Sequence, residues 1–444
     1  MEPKASDLDV DSAPRVGGGM RALTLATLFA AASGYLVMLV AGRTLGPADY
    51  PLFATYWGAF FALSGIANGL MQEGTRAVRS ARAEGARPET GAPVRLLPSG
   101  LLLGVVLAAV VIVSAPAWPA VGLPTYSGVG VVIMAFGILG FTLQAATAAA
   151  LSGTERWGAY AVLLTVDAAL RLAVAGTGWL LGDSGIGFAV ATVAGTITWL
   201  LLFVVSPGTR AALASAIDVG RDRFWRNTGT AMLASAGTAA LVTGFPLFIT
   251  ATARATDPAG LIGAVILAVT LTRAPLLVPL TSFQSAIIVF FVQRRVRGVR
   301  ALVAPLALVA AVGVVGAGAA WLIGPWLIRV LFGAEFELPG TVLAALTAAS
   351  VGTAALMVTG NAALAYGHHV LYNTGWWVAV LGSLAVLQFA PGDLDVRSAV
   401  ALLVGPGIGV AVHVGSLALI THLDPRGAAA TDASASGPLS GPTE

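Results

Sequence analysis

The chain has 444 residues, of which 57% are hydrophobic and only 10% charged. Soluble domains carry about a quarter charged residues, so this balance excludes an ordinary globular enzyme and points to a polytopic membrane protein. The absence of cysteine excludes disulfides, thiolate metal sites and a cysteine nucleophile, while 24 basic and 21 acidic residues nearly cancel, at +3.

Residues 1–17 are polar, carry Glu2, Asp7, Asp9 and Asp11, and read as a cytoplasmic tail with no cleavable signal peptide. Apolar runs long enough to span a bilayer follow at roughly 18–42, 52–75, 97–115, 127–151, 157–182 and 184–206. A second series lies at roughly 227–252, 259–292, 301–323, 339–366, 370–389 and 397–421. Every span is expected to be helical, because an open strand leaves its backbone unpaired in lipid and no period-two pattern is present. Residues 422–444 are rich in Ala, Ser, Gly and Pro and read as a disordered cytoplasmic tail.

Lys4 is the only lysine, so arginine carries the topology signal. Three loops hold clusters: Arg76, Arg79, Arg82, Arg87 and Arg95; then Arg210, Arg221, Arg223 and Arg226; then Arg294, Arg295, Arg297 and Arg300. Basic loops stay cytoplasmic, so an even number of spans must separate them. Two spans precede the first cluster, four lead to the second, two to the third and four follow, which makes twelve with both termini in the cytoplasm. Eighteen basic residues then fall inside, four (Arg43, Arg254, Arg329, Arg397) fall outside, and Arg171 and Arg273 lie within spans. The His368-His369 turn is placed inside by parity alone.

The rhythm of two spans then four occurs twice, so the chain is expected to be an all-α polytopic membrane protein with two six-helix pseudo-repeat lobes around a central cavity. The lobes are drawn at 18–206 and 227–421, joined by a basic cytoplasmic linker at 207–226. A short echo supports the repeat: Arg43-Thr-Leu-Gly-Pro47-Ala48 and Arg254-Ala-Thr-Asp-Pro258-Ala259 match at an offset of 211.

The stretch Gly42-Arg43-Thr44-Leu45-Gly46-Pro47-Ala48-Asp49-Tyr50, with the helix that follows and closes in Gln72-Glu73-Gly-Thr-Arg76, resembles the first hairpin of the polysaccharide flippases of the MOP (MATE-like) superfamily. Leu331-Phe332-Gly333-Ala334-Glu335-Phe336 is similar to that family's loop before its tenth helix. The small-residue turns ending at Gly153 and Gly367 are similar to those after its fourth and tenth helices. Pro51 stands where the family commonly has Gly, and proline is sterically acceptable in a helix's first turn. The resemblance spans about residues 18 to 421. It implies a bacterial plasma-membrane carrier that flips a lipid-linked saccharide, typically on undecaprenyl diphosphate, from the inner to the outer leaflet for cell-surface polysaccharide synthesis.

Arg273 is the sharpest candidate site residue. It lies about 21 Å along a helix from Ala259, near mid-membrane, and a guanidinium suits phosphate oxygens. Pro275 and Pro279 follow and are expected to kink the helix. The alternative is a packing arginine that satisfies the carbonyls so freed. Asp167 and Arg171 stand four apart on one helical face and can pair, either as a structural salt bridge or as an ion-coupling pair. Asn68, Gln72 and Arg76, with Glu73 beside them, form a polar stripe that either lines the inward mouth and touches substrate or is an ordinary helix end. Gln144, Gln284 and Asn361 read as interhelical glue, and His413 as a packing residue rather than a proton relay.

No residue set has catalytic or metal-ligand spacing and no phosphate-binding glycine loop is present, so neither an enzyme nor a cofactor is expected. The expected partners are the lipid-linked saccharide and membrane lipids, not nucleic acid; the oligomeric state is left open. The rival readings are a MATE-type drug or cation exporter, a major-facilitator carrier, whose loop signature is missing from 76–95, and a membrane-embedded polysaccharide polymerase or glycosyltransferase.

Overall fold

The computed structural model describes residues 18–84, 94–182, 185–215, 217 and 219–423. The proposed tails, 1–17 and most of 422–444, lie outside the described residues, as do Arg87 and Asp218. All regular structure among the described residues is helical.

The first helical stretch, Gly18–Glu84, is two spans joined at Gly46, whose backbone is left-handed (φ 66°, ψ 176°). Only glycine takes that conformation freely, and Pro47 then starts the next helix with its φ already set. We call these α1 (18–45) and α2 (47–84). The remaining spans are α3 (Leu96–Ser114, continued by a 3-10 turn, Ala115–Val121), α4 (Val129–Gly153), α5 (Trp157–Leu181) and α6 (Ile186–Val205). They are followed by α7 (Arg221–Val242 with Phe245–Ala251), α8 (Ala259–Ser282 with Gln284–Gln293) and α9 (Val303–Phe332). Finally come α10 (Gly340–Ala365), α11 (His369–Phe389) and α12 (Leu394–Leu423). Twelve spans are thus present among the described residues, with a short helix, Pro207–Leu213, in the expected linker.

Three spans are broken where the sequence reading drew them whole. A 3-10 turn at Gly195–Ile197 divides α6, and α7 bends by 63° between its two segments. In α8 the helix carries Pro275 and Pro279 within its first segment and is interrupted later, around Phe283. The two prolines therefore remove ladder donors without ending the segment, and the break falls elsewhere than expected.

The fourth helix of each half, α4 and α10, is the most enclosed, 61% buried in both. Each is packed with Ala, Gly, Ser and Thr, which lets neighbouring backbones approach where no hydrophobic effect operates between helices in lipid. Leucines and valines on α3, α9 and α12 face outward as lipid-contacting surface. The helices α1–α6 form one bundle and α7–α12 the other, with α1 and α2 meeting α7 and α8 between them. One end of the molecule carries the arginine-bearing loops and is called the basic end. The opposite, short-turn end carries the Gly46 turn, the 252–258 turn, 333–339 and 390–393.

Between the lobes α2 and α7 are closely packed from Gly58 to Gly69 of α2. A Cβ on Gly58 would stand 2.8 Å from the Thr243 carbonyl oxygen, one on Gly65 would strike the Ala239 methyl, and one on Gly69 would strike the Met232 backbone. The α1–α8 side is different. Tyr35 and Met38 of α1 face Thr270 and Ala274 of α8 across a cavity, and a Cβ on Gly34 would meet open space.

Candidate functional site

That cavity, about 350 Å³, is lined by α1, α2, α7 and α8. Its lining runs from Tyr50 and Phe53 toward the short-turn end to Ala30 and Thr281 in the basic half. Aromatic walls come from Tyr35, Trp57 and Phe61, hydroxyls from Thr243 and Thr270, and the only charged residue among the lining is Arg273.

Arg273 is 4% exposed. Its Nη2 donates to the Leu241 carbonyl of α7 at 3.0 Å, beside the bend that interrupts that helix. Its guanidinium lies 5.4 Å from the Phe245 ring centroid, a cation–π distance. Its Nε has no partner among the described residues. A buried, charged donor left unmatched is expensive, so its position on a cavity wall is chemically informative. The carbonyl it holds belongs to α7 rather than to its own proline-bearing helix.

Asp167 and Arg171 do pair, with Arg171 Nε donating to Asp167 Oδ2 at 3.0 Å and Nη2 to Oδ1 at 3.1 Å. Gln144 of α4 donates to Oδ1 at 2.9 Å, and Arg171 Nη1 donates to the Thr192 carbonyl of α6. The guanidinium also stacks over Phe60 and Phe61, at 5.5 and 5.1 Å. Gly195, at the break of α6, is the only residue type that fits there, because a Cβ would strike the Asp167 carboxylate. This network ties α4, α5 and α6 together inside one lobe and borders the cavity through Phe61, on whose ring Arg171 stacks.

The α2 stripe falls at the lobe interface near the basic end. Gln72 Nε2 donates to Ser235 Oγ of α7 at 3.0 Å, and Asn227 of α7 donates to Glu73 Oε1 at 2.9 Å. Glu73, 6% exposed, also takes a two-pronged bond from Arg76, at 2.8 and 2.9 Å. Asn68, half-buried on the same helix, is like Gln72 and Arg76 outside the cavity lining. Gln284 and Asn361 bond each other at 3.2 Å across α8 and α10. His413 of α12 sits fully buried between Thr359, at 2.9 Å, and the Tyr372 carbonyl, at 3.3 Å. Among the described residues no three His, Asp or Glu side chains group as metal ligands would.

Two arrangements were not anticipated: Arg397 was counted only as a topology marker, and Arg43 was noted in a motif and an echo but not as a contact between the lobes. Arg397 is fully buried; it donates to Asp257 Oδ2 at 2.6 Å and to the Thr252 and Leu387 carbonyls. Arg43 reaches from α1 to the end of α9, its Nε donating to the Leu331 carbonyl at 2.5 Å and its Nη2 to that of Val330. The available signal was the echo at offset 211, which marks Arg43 and Arg254 as positional counterparts.

The helical order, broken spans and lobe-spanning cavity define a polytopic membrane protein of the MATE fold. The fold matches an inward-facing MATE-family multidrug resistance transporter of the MOP superfamily with a TM-score of 0.68 and 13% identity, covering 90% of this chain and 96% of that one. An outward-facing MATE-family transporter matches with a TM-score of 0.64 and 15% identity, covering 92% and 96%. A Pyrococcus furiosus MOP superfamily transporter, described by the reverse polarity of its binding pocket and a different function suggested from it, matches at 0.61 and 14%, covering 91% and 96%. By sequence the chain belongs to a family of mycobacterial proteins. It is 41% identical over 406 residues to uncharacterized protein Mb3654 of Mycobacterium bovis, covering 90% of this chain and 92% of that one. It is 40% identical over 419 residues to uncharacterized protein Rv3630 of Mycobacterium tuberculosis, covering 92% and 95%, and 40% identical over 405 residues to Rv1510, covering 91% and 93%. No family model matches the chain.

Proposed function

We propose that the protein is an alternating-access transporter of the bacterial plasma membrane that flips a lipid-linked, diphosphate-bearing saccharide from the inner to the outer leaflet. The observation that carries this is Arg273, a buried cation with an unmatched Nε on the wall of an inter-lobe cavity that has no acidic lining residue. A guanidinium so placed binds an anionic phosphate group, and the surrounding Tyr and Trp rings provide faces on which sugars stack. The α1–α8 side offers a way out for the lipid tail, since small residues there leave space while α2 and α7 are sealed. With the basic end in the cytoplasm, as the arginine loops favour, the basic half of that slot faces the inner leaflet.

A cation exporter would place a carboxylate in the cavity; the buried acids Asp167 and Glu73 are instead committed to Arg171 and Arg76. The test is leaflet transfer of a fluorescent lipid-linked saccharide in proteoliposomes. Arg273→Ala is expected to lower transfer at least about tenfold, the loss of one charge-assisted hydrogen bond, with unchanged insertion. Normal transfer by a well-inserted Arg273→Ala protein would remove the residue from the mechanism.

A further inference from the structure

The two echoed arginines have taken different partners. Arg254 stays within its own lobe, where it donates to the Ala390 carbonyl at 2.7 Å and the Gly392 carbonyl at 3.3 Å, at the end of α11. Arg43 crosses to the other lobe and holds the last carbonyls of α9. A helix C-terminus presents unpaired carbonyls and partial negative charge, so both sites suit a guanidinium.

Around Arg43 the two lobes touch through a small, continuous patch. Phe332 packs on α1 so closely that a Cβ on Gly42 would stand 2.7 Å from its ring. Phe336 meets Tyr50 edge to face at 5.8 Å, and both are buried. Glu335 stands over Gly46, where a Cβ would lie 3.3 Å from its carboxylate. Pro47 of α2 backs against Gly263 of α8, which has no room for a side chain. Tyr50 of this patch also lines the cavity, so the patch bounds its short-turn end.

We propose that Arg43 is the bolt of a gate at the short-turn end: its bonds to the end of α9 hold the 331–336 loop over the Gly46 turn, and they must break for the cavity to open there. The proposal rests on the alternating-access reading. Two features fit a bolt better than a permanent staple. Arg43 is solvent-accessible and bonds backbone carbonyls, with no buried carboxylate partner to strand when it lets go. Arg397, the staple of the same end, is fully enclosed and paired with Asp257. Releasing Arg397 would leave two charges in a dry interior, whereas releasing Arg43 returns it to water.

The natural chain lacks cysteine, so single cysteines report without further changes. Phe336→Cys, in purified protein in nanodiscs, is expected to react slowly with a polar maleimide. Adding Arg43→Gln should raise that rate about tenfold, the effect of losing one charge-assisted hydrogen bond, while adding Arg254→Gln should leave it at the parent value. Equal rates in the Arg43→Gln and parent backgrounds, or an equal rise with Arg254→Gln, would overturn the proposal. Tyr50→Cys repeats the reading from the other lobe, should Phe336→Cys fold poorly. A Gly42→Cys/Phe332→Cys pair bridged by a short bifunctional thiol reagent should keep the slow rate at the gate even with Arg43→Gln, and a fast rate in the bridged protein would count against the bolt. None of these measurements needs a substrate. If the gate behaves as described and no saccharide is flipped, the substrate reading falls and the bolt stands; flipping with unchanged labelling has the opposite meaning.

Discussion

At the scale of single residues, the membrane-embedded charges divide by how fully they are matched. Arg273, which lines the cavity, has an Nε with no partner among the described residues, while Arg171 spends every guanidinium nitrogen on Asp167 and Thr192. The Asp167–Arg171 pair is thus expected to act on stability: Asp167→Asn or Arg171→Gln alone should destabilise by about 3 kcal/mol, because either strands a buried partner. The double replacement should recover much of that loss, and thermal unfolding in detergent measures it; losses that simply add would refute the coupling. Arg397→Met should lower stability by a similar ~3 kcal/mol, leaving Asp257 uncompensated. Arg273, Asp167 and Arg171 were legible in the sequence because charge is scarce inside apolar runs. Arg397 was not, since its burial depends on the 252–258 turn folding over it, a contact between positions far apart in the chain.

At the scale of elements, the sequence reading located all the spans, because twenty apolar residues have few other uses, but smoothed over their breaks. Gly195 carries little signal of its own in a run of small apolar residues, and its place is set by the Asp167 carboxylate beside it; the α7 bend does carry a local mark, Gly244 followed by Pro246 at the start of the second segment. Pro275 and Pro279 misled in the opposite direction, since neighbouring helices can support the freed backbone groups of a membrane helix. The Gly46 turn was legible as a motif, and its left-handed backbone gives it a measurable consequence. Gly46→Val should lower stability by about 1–2 kcal/mol, the strain of a β-branched residue at positive φ, whereas Gly18→Ala should not. Equal melting temperatures for the Gly46→Val and parent proteins would show that the turn is not held in this form.

At the scale of the whole molecule, two lobes meet along one sealed seam and face each other across one slot. The loop rhythm suggested two six-helix lobes, but it held no sign of the asymmetry of the interface, which depends on the α2 glycines Gly58, Gly65 and Gly69 facing α7. Gly69→Leu should wedge the seam against the Met232 backbone and is expected to disrupt the Gln72–Ser235 and Asn227–Glu73 bonds beside it. A cysteine pair at Gln72 and Ser235 should then crosslink more slowly than in the parent, and an unchanged rate would mean the seam yields without resistance. On the proposed transporter reading, the seam also bears on how the lobes would move. Two covers joined along a spine can part at the fore-edge with little change at the binding, and displacement grows with distance from it. On that reading, the line of α2 glycines packed on α7 would be the pivot, and the width offered to a headgroup would be set at α1 and α8. A bulky glycan would then be accommodated by how far the book opens, with its lipid tail left hanging outside the pages.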